Sequence, residues 1–87
     1  MTDDVASRRR RALFRAGHRG TKEMDWLIGR FAESRLADMP VVTLAAFERL
    51  VLVSDPELHD MIMHPEIAPA GEHGELIAQL RMFHGLE

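Results

Sequence analysis

Thr21-Lys22-Glu23-Met24-Asp25-Trp26-Leu27-Ile28-Gly29-Arg30-Phe31-Ala32 is the stretch that decides the fold class. Met24, Leu27, Ile28, Phe31 and Ala32 recur at intervals of three and four, the spacing that gathers side chains on one face of an α-helix. Thr21 stands where a side-chain oxygen can accept from backbone N–H groups that the first helical turn leaves without partners. Lys22, Asp25, Arg30 and Glu33 fall mostly off the apolar stripe. Trp26 falls off it too, and marks either a second contact surface or a packing point under another helix.

Working outward, Gly17 and Gly20 mark the exit of a preceding helix from about Asp4 to Ala16, whose Ala and Arg content favours helix and whose Leu13 and Phe14 offer apolar contacts. Beyond Met39 and Pro40, Thr43 is the expected cap of a third helix with Leu44, Phe47, Leu50 and Val51 as its buried stripe. Ser54-Asp55-Pro56-Glu57 supplies a cap, a proline at the first helical position and an early acid, which open a short fourth helix ending near His64. Residues 65–74 are rich in Pro and Gly and read as a loop. A fifth helix follows, with Leu76, Ile77, Leu80 and Phe83 facing inward and Gly85 as its stop. The one strand-like run, Pro40-Val41-Val42-Thr43, is too short to found a sheet. The expected fold is all-α, a compact five-helix bundle.

Eighty-seven residues, 46% of them hydrophobic, suit one domain over residues 1–87, because so short a chain buries too little surface for two cores. With no cysteine, thiol catalysis and thiolate metal sites are excluded, and a reducing compartment fits. Apolar runs such as Leu50 to Val53 fall far short of the roughly 20 residues of a membrane helix. Asp3, Asp4 and Arg8 to Arg11 are followed by no apolar segment of the secretory kind, so the expectation is no membrane span and a cytoplasmic location. Charge is unevenly spread. Residues 1–43 hold nine Lys/Arg against six Asp/Glu, and residues 44–87 hold two against eight. A dipolar chain of net charge −3 suits a protein partner better than nucleic acid.

Candidate chemistry is sparse. His59 and His64, with Asp55 and Asp60 nearby, raise a metal site, but five residues turn a helix through about 500° and leave the two imidazoles on different sides. No nucleophile stands beside a base, so no enzyme is expected. Gly17 and Gly20 lack the spacing and the preceding strand of a phosphate loop, so no self-contained FAD fold is expected. Arg8 to Arg11 would point in four directions about 100° apart instead of forming a stripe for phosphates. Met24 and Met61 sit on apolar stripes and read as core, while Met63 could lie on either side.

His18-Arg19-Gly20-Thr21-Lys22-Glu23-Met24-Asp25, followed by Leu27-Ile28-Gly29-Arg30-Phe31, resembles the RGxxE signature and succeeding helix of the succinate dehydrogenase flavinylation factor (SdhE) family. Phe14-Arg15, Phe47-Glu48-Arg49-Leu50 and Asp55-Pro56-Glu57-Leu58 add to the likeness, which covers roughly residues 8–64. The resemblance implies a five-helix assembly factor, a monomer when free. Such a factor binds the flavoprotein subunit of succinate dehydrogenase, and often of fumarate reductase, and promotes covalent attachment of FAD to a histidine of that subunit. It implies that FAD belongs to the client and is not held stably here. It also implies that Arg19, Gly20 and Glu23 contact the partner, with Asp25 and Arg30 as neighbours on the same helix. The other reading is a regulatory interaction module such as an antitoxin, separated by which protein co-purifies.

The motif also has a physical reading of its own. Gly20 permits a positive φ or a close backbone approach. Arg19 carries a forked donor for a partner's carboxylate or carbonyls, and Glu23 can accept a donor at a helix N-terminus. Three positions depart from the family's usual pattern. Met61 stands where an aromatic is common, Trp26 where a leucine-like residue is, and Gly17 where some relatives have an aromatic, so local packing should differ there.

Overall fold

A computed structural model describes residues 4–86. Five α-helices follow one another: α1 (Val5–Gly17), α2 (Lys22–Arg35), α3 (Val41–Leu50), α4 (Asp55–Met63) and α5 (Gly74–Phe83). Single 3₁₀ turns at Leu36–Asp38 and Gly71–His73 lead into α3 and α5, the second lying inside the segment expected to be loop. No strand occurs among the described residues. The fold is all-α, as the apolar periodicities imply. A radius of gyration of 12.4 Å is that of a close-packed chain of this length.

The stripe of α2 is wholly buried. Met24, Leu27, Ile28, Phe31 and Ala32 form its inner face, and Phe31 lies at the centre with Phe47 of α3 and the edge of Phe83 of α5 against it. Leu44, Phe47, Leu50 and Val51 of α3, Leu58 and Ile62 of α4, and Leu76, Ile77 and Leu80 of α5 complete one contiguous core. The side-chain oxygen of Thr21 accepts from the N–H of Met24 at 3.2 Å. Asp4 caps α1, its carboxylate accepting from the N–H of Ser7 at 2.7 Å.

Two local expectations are corrected. α1 buries Ala12 and Ala16, whereas Leu13 and Phe14 lie outside the core, 41% and 63% exposed. The small residues win because α1 runs so close to α2 that only alanines fit between the backbones. Thr43 does not cap α3, which begins two residues earlier at Val41. Pro40 takes the capping position with φ −59° and ψ 158°, and its carbonyl accepts from the N–H of Leu44 at 2.8 Å. Proline's locked φ starts the helix without a side-chain cap.

Trp26 is half-exposed and covers the end of α5, its ring 4.5 Å from that of His84, whose Nε2–H donates to the carbonyl of Leu27 at 2.7 Å. Met24 is core as expected and so is Met39, whereas Met61, expected in the core, is half-buried at its edge together with Met63.

Arginines join the helices. Arg8 of α1 grips Glu48 of α3 with both prongs, at 2.6 and 3.0 Å. Arg9 donates to the carbonyl of Leu36 at 2.6 Å, just past the end of α2, and Arg81 donates to that of Ile62 near the end of α4. Carbonyls at helix C-termini have no partner within the α-helix; a cation from another element serves that of Ile62, and that of Leu36 receives one besides the N–H of Met39 at 3.2 Å.

The Arg8 pair sets a pH dependence. Hydrogen bonds from the Arg8 guanidinium, ahead of its charge, hold the Glu48 carboxyl below the usual glutamate range. A carboxyl lowered by folding adds stability above its unfolded value and loses it as pH falls through the lower, folded value. Arg8→Gln is therefore expected to be less stable than the parent at pH 7, with the gap closing toward pH 3. Urea midpoints at the two pH values check this, and a gap that widens in acid would refute it.

Candidate functional site

The turn between α1 and α2 is built around Arg19. Its side chain is 8% exposed and runs under the turn to the junction of α3 and α4. There Nε donates to the Asp55 carboxylate at 2.9 Å, Nη1 to the carbonyl of Val51 at 2.5 Å and Nη2 to that of Val53 at 2.6 Å. One planar fork thereby closes the end of α3 and holds the start of α4. The backbone N–H of Arg19 donates to Asp25 at 2.5 Å, which ties the turn to the first coil of α2.

Gly20 follows with φ +145°, a backbone state that side-chain-bearing residues rarely adopt, and a Cβ there would meet the far carboxylate oxygen of Asp55 at 3.2 Å. Two constraints therefore converge on a glycine: the chain must turn sharply out of Arg19, and Asp55 must stay free to receive the guanidinium.

Glu23 points the other way. Its side chain is 59% exposed, and its Oε2 lies 3.3 Å from Nε2 of His59 on α4. Between the start of α2 and α4 runs an open groove of about 390 Å³, lined by Thr21, Glu23, Met24, Asp55, Pro56, His59 and Asp60. Met24 and Pro56 give it apolar lining, and its carboxylates are Glu23, Asp55 and Asp60.

Of the residues singled out from the sequence, the structure brings Arg19, Gly20, Glu23 and Asp25 together at this turn and gives them different tasks. Arg19 is not the outward cation expected of it, because three of its donors are spent inside the chain. Asp25 is half-buried and faces the turn's backbone. Gly20 and Glu23 are exposed. Arg30 is exposed two turns further along α2 and does not line the groove.

Two members of the site escaped the reading of its chemistry. In the sequence Asp55 stands out as part of a helix start, of the Asp55-Pro56-Glu57-Leu58 likeness and of a set of metal-ligating residue types, none of which points to Arg19. His59 stands out in the sequence only beside His64, Asp55 and Asp60, and His64 caps the end of α4 away from the groove. No local signal links either residue to position 19 or 23, because the contacts span 36 residues in both cases.

Among the described residues no group of three potential metal ligands gathers, and no helix is long and apolar enough to cross a membrane. The groove does not suit FAD, since its carboxylates would repel the dinucleotide's pyrophosphate and His59 is the only basic side chain lining it.

Comparison with known proteins agrees with the motif. The family model described as flavinator of succinate dehydrogenase matches residues 10–84. The FAD assembly factor SdhE of Acetobacter pasteurianus is 47% identical over 60 residues, which take in 69% of this chain and 55% of that protein's length. No solved structure matches the chain. With three quarters and more of its residues inside the family model, the chain belongs to the flavinator of succinate dehydrogenase family.

Proposed function

We propose that this protein binds the flavoprotein subunit of succinate dehydrogenase before its flavin is attached and promotes the covalent attachment of FAD. The flavoprotein of fumarate reductase is proposed as a second client of the same kind. The observation that carries the reading is the exposed Glu23 carboxylate beside the bare backbone of Gly20, on a turn anchored by the part-buried Arg19–Asp55 pair. Such a patch offers a partner an acceptor and a close backbone approach on a support that does not yield. Arg30 extends the same exposed side of α2.

On this reading the reacting groups, a histidine and the flavin, both belong to the client. The assembly factor contributes geometry: by binding one arrangement of the client's mobile parts more tightly than others, it raises the population in which histidine and flavin meet. It departs once the bond exists and that arrangement no longer needs support. FAD enters as the client's cofactor.

Glu23→Ala tests the reading. The side chain is exposed, so stability should fall by no more than about 1 kcal/mol, the worth of an acid in a first helical turn. Affinity for the client should fall about tenfold, as for an interface anchor worth ~1.4 kcal/mol. Covalent flavin in the client, followed by in-gel fluorescence at limiting assembly factor, should fall with it. Equal flavinylation with and without the parent protein would refute the proposed function.

A further inference from the structure

Two side-chain pairs cross the seam between α2 and α4, and they differ in burial. Arg19–Asp55 lies beneath the turn and fixes how the two elements sit. Glu23–His59 lies above it, with the imidazole 33% and the carboxylate 59% exposed, so it adds little to holding the helices together. Its effect falls on Glu23 itself. A free glutamate side chain samples many rotamers, and a partner that captures it must suppress them. His59, on a helix already anchored by the buried pair, draws the carboxylate toward the groove and narrows that choice before any partner arrives.

The remaining charged side chains lining the groove do not replace it. Asp55 has one carboxylate oxygen on Arg19, and Asp60 is an acid that repels Glu23. Thr21, the cap of α2, stands on Glu23's own side of the groove and does not link it to α4. Among the described residues, His59 is thus the side chain of the opposite wall that reaches Glu23, its Nε2 lying 3.3 Å from the carboxylate.

We infer that His59 is a positioning residue for Glu23, so that the client-docking surface spans α2 and α4 and not the motif turn alone. The inference rests on the proposed function, and the experiment separates the two. The 87-residue chain and its variants are titrated by calorimetry into the flavoprotein subunit of succinate dehydrogenase purified without covalent FAD.

His59→Ala should weaken binding about fivefold, with an unfolding midpoint close to that of the parent. His59→Gln places an amide donor near the position of Nε2 and should recover most of the lost affinity. In a Glu23→Ala background, His59→Ala should change binding by less than about twofold, because the carboxylate it positions is gone. Parent-like binding by His59→Ala overturns the inference alone. So do losses that multiply in the double variant, since His59 would then act without Glu23. If the parent chain itself fails to bind the subunit, the proposed function falls and the positioning role falls with it.

Discussion

Arg19→Met is expected to remove about 3 kcal/mol of folding stability, the combined cost of the three hydrogen bonds that its largely buried guanidinium makes inside the fold. The methionine keeps most of the aliphatic stem, so the loss isolates the guanidinium. Without it the half-buried Asp55 carboxylate loses its partner, and the carbonyls of Val51 and Val53 lose a donor each past the end of α3. A small helical protein has a total stability of only about 5–15 kcal/mol, so the variant should melt on the order of 15 °C lower.

Arg19→Lys retains a charge but not the fork that reaches three acceptors at once, and should fall between the two. Thermal and urea unfolding measure the series. Parent-like stability in Arg19→Met would show that the clamp carries no load and return Arg19 to the list of direct partner contacts. The same experiment separates two ways of losing function. Arg19→Met should lose client binding together with stability, because Gly20 and Glu23 are no longer held, whereas Glu23→Ala should lose binding with its fold intact.

Gly29→Leu is the second large effect. Gly29 is buried on α2 at the closest approach of α1, where a Cβ would lie 3.2 Å from the Cα of Gly17 and 3.6 Å from the carbonyl oxygen of Ala16. Both neighbours are backbone, which cannot swing aside as a side-chain tip would. A leucine must push α1 away from α2, opening the seam lined by Ala12 and Ala16, and the overpacking should cost about 3 kcal/mol. Gly29→Ala is the informative control. Alanine in a helix interior normally gains up to about 1 kcal/mol over glycine, and here the tight contact should offset that gain. Urea unfolding of both variants checks the pair of expectations. A Gly29→Leu protein as stable as the parent would mean that α1 does not seat on this face.

Much of the architecture was legible because helix formation is a local matter. The α2 stripe from Met24 to Ala32 and the inner faces of α3 and α5 follow from spacing, since residues three and four apart share a face wherever the helix is packed. Pro56 at the start of α4 and Thr21 at the start of α2 act within a few residues of themselves. α1 was harder. Hydropathy favours Leu13 and Phe14, but the distance to α2 rewards Ala12 and Ala16, and that distance depends on Gly29, 13 residues beyond Ala16. Thr43 illustrates a smaller limit, where two residue types compete to begin the same helix and the proline's fixed φ prevails over the hydroxyl.

The motif shows where sequence reading stops. Arg19, Gly20 and Glu23 are conspicuous as a linear pattern, and a cation, a bare backbone and an anion within five positions suggest one outward patch. Side-chain direction, however, depends on what lies opposite, and the junction of α3 and α4 is brought there only by packing of the whole core. That packing turns the Arg19 guanidinium inward to two carbonyls and a carboxylate, leaves Glu23 in solvent, and puts His59 beside it. Helix identity and inner faces were thus set by neighbours along the chain. The division of the motif into a buried clamp and an exposed contact was set by partners more than 30 residues away, because a long charged side chain takes whichever acceptors the assembled fold brings within its reach.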